Sequence, residues 1–110
     1  MKYLGPISSP DSTRVFYVDC TNQLNSTELL SSINSITSSD SSVLITNTSI
    51  LQSGVTTEDG HLLPSGQTVY FRASTTVEKT NLVCLDIDYN TSLDNRDLTR
   101  VQLKVVPIIV

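Results

Sequence analysis

The chain has 110 residues, with seven Lys and Arg against eleven Asp and Glu and a formal net charge of -4. This length predicts one domain with a two-layer core, and the acidic balance, with no run of basic residues, argues against a surface that neutralises nucleic-acid phosphates. No segment approaches the roughly 20 apolar residues that cross a bilayer, and Gly5 and Pro6 interrupt the N-terminus before a secretory signal core forms, so we expect synthesis in a cytoplasm and no membrane partner.

Residues 1–13 are predicted to form an extended N-terminal arm. Gly5 and Pro6 exclude a helix there, and the Ser-rich run that follows is typical of turns. Tyr3 and Leu4 stand before the first predicted strand, so together with Pro6 they are candidate contacts with a neighbouring subunit. The alternative is that the arm packs on its own domain.

Three segments follow in the first half of the chain. Residues 14–20 (RVFYVDC) alternate in polarity and form the first predicted strand, with Phe16 and Val18 on its core face. Residues 24–40 contain apolar spacings of three and four, but their many Ser, Asn and Thr residues favour a loop or short helical turn that leads into a strand. Residues 42–51 predict one strand or two short ones.

The second half carries the clearest pattern. Residues 66–74, 81–89 and 98–106 alternate apolar and polar positions, which is typical of strands with one face on a core and one in water. Asp94 and Asn95 suit a turn between the last two strands. The fold class is therefore predicted as all-β: an immunoglobulin-like β-sandwich of about seven antiparallel strands over residues 14–110.

The chain ends in an apolar tail after Pro107. Its residues Ile108, Ile109 and Val110 are further candidate contacts with a partner, and packing on the same domain is again the alternative.

The two cysteines are expected to be reduced thiols. Cys20 and Cys84 are far apart in sequence, and a cytoplasmic origin favours the reduced state. Cys84 shares its phase with Asp86 and Asp88, so it is predicted to lie off the core face, which weakens the case for a disulfide between sheets. Whether the two cysteines pair stays open at this point.

No set of residues predicts catalysis or metal binding. The acidic residues from Asp86 to Asp97 resemble a calcium loop, but Thr91 stands where the sharp turn needs Gly, and Asp97 stands where a bidentate Glu is needed. His61 is the sole histidine and has no cysteine at metal-ligand spacing. Nucleophile-elbow and Gly-rich phosphate motifs are also missing. We expect no enzyme activity, metal or cofactor.

Three strand motifs occur over roughly residues 14–106. Their residues are Val15, Tyr17, Val18 and Asp19 of an early strand, Gly66, Thr68, Tyr70 and Phe71 of a later one, and Arg96, Leu98, Leu103 and Val105 of the last. In these motifs the chain resembles an immunoglobulin-like module of small virion proteins from tailed bacteriophages. It lacks the Trp and the hairpin Gly that are usual in that pattern.

This resemblance implies a structural part of a virion, first of all a capsid decoration or cement protein. Such a protein would bind the major capsid protein, stabilise the head and sit on the capsid surface, in some cases as a homotrimer or another homo-oligomer. One alternative is a tail, head–tail joining or fibre-associated protein. Another is a glycan-binding β-sandwich module, which would need exposed aromatic side chains on one face.

Overall fold

The computed structural model describes residues 2–9, 12–75 and 81–107. Within these ranges the chain forms nine strands and one short 3-10 helix, Thr21–Gln23. The strands are β1 (Lys2–Ser9), β2 (Ser12–Asp19), β3 (Leu30–Ser38), β4 (Val43–Ile50), β5 (Val55–Thr56), β6 (Leu62–Leu63), β7 (Thr68–Thr75), β8 (Asn81–Thr91) and β9 (Arg96–Pro107). The prediction of an all-β protein is confirmed.

Seven of these strands form two sheets that pack around one core. The first sheet has the order β1-β9-β8-β3 and the second the order β2-β7-β4. Strands β5 and β6 form a separate small hairpin between β4 and β7. The pairs within the two sheets are antiparallel except for β1 and β9, which run parallel, so the expectation of antiparallel strands alone is wrong at this edge.

Strands β7, β8 and β9 form where the sequence alternates, and each presents its apolar phase to the core. Full burial of one such side chain contributes about 1.5–3 kcal/mol, so these strands provide most of the core. Their inward side chains, each at most 1% exposed, are Val69, Phe71, Ala73, Val83, Leu85, Ile87, Tyr89, Val101, Leu103 and Val105.

Strand β2 covers the core from the second sheet, as its alternation predicts. Phe16 and Val18 are buried, and the ring of Phe16 packs on that of Phe71 with centroids 5.7 Å apart. The ambiguous segment, residues 24–40, follows the 3-10 helix and begins as a loop that leads into β3 at Leu30. The preference for a loop or short helical turn that leads into a strand is therefore confirmed, in the form of a loop.

The prediction of an extended arm is wrong for Lys2–Ser9, because these residues are the edge strand β1. Their partner is β9, along the register from Lys2 opposite Val101 to Ser9 opposite Pro107. Ile7 is only 1% exposed and belongs to the core. The edge position accommodates Pro6, since half of the backbone groups of an edge strand need no partner strand.

The two cysteines lie in different layers, and no disulfide joins them. Cys20 is 2% exposed and faces the core at the end of β2, where burial raises the pKa of its thiol to about 11. Cys84 lies on the outward phase of β8, between the buried residues Val83 and Leu85. The predicted position of Cys84 off the core face is confirmed.

Candidate functional site

The structure separates the residues that the sequence singled out as partner contacts. Tyr3 and Pro6 are exposed on β1, and the side chain of Tyr3 keeps 51% of its surface in solvent. Leu4 is half-buried and packs against the core. The tail residues Ile108, Ile109 and Val110 lie outside the described part of the chain. Of the six predicted contacts, Leu4 lines a cleft between the edges of the two sheets.

This cleft opens where both sheets end on the same side of the molecule. Strand β1 is the last strand of the first sheet, and β2 is the last strand of the second. The space between them measures about 660 Å³ and is closed at one end by the β5–β6 hairpin. We call it the edge cleft. Its lining residues are Lys2 and Leu4 of β1, Arg14, Val15, Phe16 and Tyr17 of β2, and Thr57, Glu58, Asp59, His61 and Leu63 of the hairpin.

The four consecutive residues of β2 in this lining show how the cleft is oriented. Side chains of a strand point alternately to opposite faces, so a cavity that meets all of residues 14–17 runs along the edge of the strand. Phe16 and Leu63, which are 4% and 5% exposed, contribute an apolar floor together with Leu4. The edge cleft is thus a long groove with an apolar floor beside an edge of β2 that no described strand pairs with.

The backbone groups that face this groove follow from the hydrogen-bond pattern of β2 and β7. The N–H of Cys20 donates to the carbonyl oxygen of Gln67 at 2.9 Å, directly beyond the last register pair, Asp19 with Thr68. Because hydrogen-bonded pairs alternate along an antiparallel ladder, Phe16 and Val18 direct their backbone groups to β7. The backbone N–H and C=O groups of Val15, Tyr17 and Asp19 therefore point to the open edge.

Charged side chains of both signs stand along the groove. Arg14 donates from Nη1 to the carbonyl oxygen of Pro6 at 2.8 Å, which links β2 to β1 across the opening. Its guanidinium also lies 5.8 Å from the centre of the Phe16 ring. Glu58 and Asp59 are exposed on the hairpin, toward the other end of β2. The groove is basic at Arg14, whereas at the hairpin end the carboxylates of Glu58 and Asp59 outnumber the one cation among the lining residues there, Lys2, which lies near Asp19.

The hairpin turn that carries these acids is well supported by hydrogen bonds. The N–H of Thr57 donates to the carbonyl oxygen of His61 at 2.8 Å, and Gly60 closes the turn with a φ of +84°, which favours glycine. The hydroxyl of Thr57 also bonds the carboxylate of Asp59. The acidic end of the groove is therefore held in one shape.

His61 ties the hairpin to β2 through Asp19. Its Nε2 lies 3.6 Å from Oδ2 of Asp19, and the imidazole is 61% exposed. Partial burial favours the neutral form of Asp19, but hydrogen bonds from the hydroxyl and amide of Thr21 outweigh it and lower the pKa of this carboxyl. Asp19 is therefore an anion at neutral pH that fixes the loop after β2.

The opposite surface of the molecule, the outer face of the first sheet, is covered by ion pairs. Asp88 on β8 accepts two hydrogen bonds from Arg96 on β9, at 2.7 and 3.0 Å, and a third from Asn34 on β3 at 3.0 Å. Asp86 pairs in the same way with Arg100. Hydrogen bonds from Arg96 and Asn34 lower the pKa of Asp88 to about 2. These aspartates are thus occupied by cross-strand partners.

A buried carboxylate fastens the loops at one end of the sheets. Glu28 is 3% exposed and lies in the loop before β3. It accepts hydrogen bonds from the hydroxyl of Thr91, the side-chain amide of Asn95 at 2.8 Å and the backbone N–H of Asn25 at 3.1 Å. These bonds, led by the one from Thr91, lower the pKa of Glu28. The loop before β3 is thereby joined to the β8–β9 turn.

The edge cleft offers a contact surface made of an apolar floor, a strand edge and charged side chains. Within residues 2–9, 12–75 and 81–107, no three His, Cys, Asp or Glu side chains converge as metal ligands would. The thiol of Cys20 is buried, and His61 stands beside the anion of Asp19 on the surface. The arrangement can bind a chain through hydrogen bonds, apolar contact and charge.

Sequence reasoning missed the edge cleft because it depends on which strands become edges. Residues 14–20 were recognised as a strand, but their alternation does not show that one side stays unpaired. One feature of the sequence pointed to it: Arg14 shares the inward phase of Phe16 and Val18, and an inward charge is a known device of edge strands.

Comparison of the chain with protein-family models, with curated proteins and with solved structures found no match. The part of the chain that the structure describes contains no helix able to span a membrane.

Proposed function

We propose that this chain is a structural protein of a bacteriophage virion, a capsid decoration or cement protein that binds the major capsid protein. The observation that carries the proposal is the edge cleft, which opens beside the edge strand β2 of a two-sheet body. Such a body supports attachment to another protein through its edges, and many weak contacts with a repeating shell add up to firm binding.

The strand order supports an immunoglobulin-like sandwich as the finer description of the fold. In that fold one sheet has the order A-B-E-D and the other contains C, F and G. The orders β2-β7-β4 and β9-β8-β3 correspond to B-E-D and G-F-C, with β1 added beside the last strand. This correspondence agrees with the resemblance carried by the strands at residues 14–20, 66–74 and 96–105.

Attachment is tested with capsids of the phage that carries the gene, assembled without this protein. Purified protein is mixed with these capsids, and the capsids are sedimented. Quantitative mass spectrometry then gives the number of bound copies per capsid. We expect binding to saturate at one copy per repeating unit of the capsid shell. No sedimentation with capsids would contradict the cement role.

The copy number also distinguishes the alternative roles in the particle. A tail, head–tail joining or fibre-associated protein would saturate at a few copies at one vertex or on tails. We favour the shell, where a symmetric array supplies the neighbours that make one small edge contact effective.

A further inference from the structure

We propose that the edge cleft binds an extended segment of a partner protein as an additional strand on β2. The inference deepens the proposed function and rests on it only for the identity of the partner. The binding mode itself follows from the groove, its backbone edge and its charges.

The backbone edge determines the kind of occupant. Val15 and Tyr17 direct their N–H and C=O groups into the groove, and in a sheet such groups pair with another extended backbone. Val15 is 37% exposed, so the edge is accessible to an incoming chain. A helix or a compact ligand would leave this row of donors and acceptors unmatched.

The floor of the groove determines where the occupant is anchored. Phe16, Leu63 and Leu4 all belong to the cleft lining, where they would accept an apolar side chain of the added strand. Alternate side chains of an added strand enter such pockets and give specificity, while the main chain gives affinity.

The charges determine the sequence of the occupant. Arg14 stands at the start of β2, whereas Glu58 and Asp59 stand near its end, where His61 contacts Asp19. Asp19 lies five positions after Arg14 on the strand, a distance of about 17 Å at 3.3 Å per residue. The complementary segment carries an acidic residue opposite Arg14 and a basic residue roughly five positions away, opposite the hairpin acids.

Arg14 also explains why the edge is selective. An inward charge on an edge strand discourages pairing with arbitrary strands, since a chain without a matching acid would cover the guanidinium. Its bond to the carbonyl oxygen of Pro6 holds it in place before binding. Replacement of Arg14 by Ala should therefore widen the range of accepted segments.

The test uses a display library of random twelve-residue peptides, panned against the wild-type protein and two variants. Val15→Pro removes one N–H that points to the groove and keeps the hydrogen bonds of Phe16 and Val18 to β7. Val15→Thr keeps that N–H and is the matched control. We expect wild type and Val15→Thr to enrich alternating peptides with one acidic and one basic residue, and Val15→Pro to enrich them at least tenfold less.

A second measurement uses the wild-type protein alone, so it tests the inference even where Val15→Pro folds poorly. The best synthetic peptide is added to the wild-type protein, and backbone amide exchange is followed by NMR. Slower exchange at Val15 and Tyr17 supports strand addition. Protection confined to another surface, equal enrichment by a well-folded Val15→Pro, or no enrichment by wild type overturns the inference.

These outcomes are separate from those of the capsid experiment. Peptides that bind β2 while capsids do not bind would contradict the proposed role and leave strand addition in place. Capsids that bind wild type and well-folded Val15→Pro equally would overturn strand addition and leave the cement role in place.

Discussion

The centre of the molecule and its open side differ in how their strands are completed. Strands β7, β8 and β9 have a neighbour on each side and a fully buried inner face. Strands β1 and β2 have a neighbour on one side and line a groove on the other. Stability thus rests on buried side chains, most of them on the central strands, whereas the proposed recognition rests on exposed groups along the edge of β2, so substitutions of exposed edge residues should leave stability nearly unchanged.

The largest effect on stability is expected at the centre. Phe71 is fully buried and packs on Phe16, so Phe71→Ala should lower the free energy of unfolding by about 3–5 kcal/mol. Urea denaturation followed by circular dichroism measures this. Leu44→Ala, on the 56% exposed Leu44 of edge strand β4, is the control and should change it by about 0.5 kcal/mol or less. Equal losses of unfolding free energy in Phe71→Ala and Leu44→Ala would contradict the position of Phe71 in the core.

The next effect tests whether β1 belongs to the core or is an arm. Ile7 is 1% exposed, so Ile7→Ala should cost about 2–4 kcal/mol in the same denaturation experiment. Tyr3→Ala, on the same strand but exposed, should cost about 0.5 kcal/mol or less. An Ile7→Ala variant with an unchanged free energy of unfolding would instead support an N-terminal arm outside the core. Deletion of residues 1–9 would remove a strand, so point substitutions are the cleaner probe of contacts.

A smaller effect, dependent on pH, is expected at the loop end. Glu28→Gln should lower Tm at pH 7 by more than Glu58→Gln, because Glu28 is buried with three donors and Glu58 is exposed. The folded pKa of Glu28 lies below its usual value of 4.5. Its ionised form therefore stabilises the fold above pH 4.5, and this contribution is lost as pH falls through the folded pKa.

The check is the difference in Tm between wild type and Glu28→Gln from pH 7 to pH 3. The difference should shrink below pH 4.5 as the wild type takes up a proton. A difference that stays constant over this range would show that the carboxylate is not held in its ionised form.

The smallest effect is expected on the outer face of the first sheet, where exposed ion pairs contribute little to stability. Arg96→Gln should leave Tm nearly unchanged but raise the pKa of Asp88 from about 2 toward its usual value of 3.8. An NMR titration of the Asp88 carboxyl measures this shift. Arg100→Gln is the matched control, since its partner is Asp86. An unchanged pKa in Arg96→Gln would contradict the pairing.

The same contrast between centre and edge separates what the sequence predicted from what it did not. The strands around Phe71, Ile87 and Leu103 were predicted, that of Ile87 with the correct core face, because a half-buried strand imposes alternation on its own residues. Strand β1 was missed because Gly5 and Pro6 are residues typical of turns. Its partner β9 lies at the other end of the chain, so no local pattern indicates that the two strands pair.

The candidate site was predicted least well for a related reason. The sequence predicts Leu4 as a partner contact, but on an arm, and it predicts Arg14 only as the first residue of a strand. A groove between two edges exists only after both sheets are assembled, so its lining combines residues from three distant segments. The short hairpin that closes it has two residues in each strand, too few for alternation to be recognised.

The most direct test of an open β2 edge is native-state amide exchange in the free protein. Val15 and Tyr17 direct their N–H groups into the groove, whereas Phe16 and Val18 donate to β7. We predict fast exchange at Val15 and Tyr17 and slow exchange at Phe16 and Val18, in strict alternation. Uniform protection of all four amides would show that another strand already covers the edge, and would contradict the account.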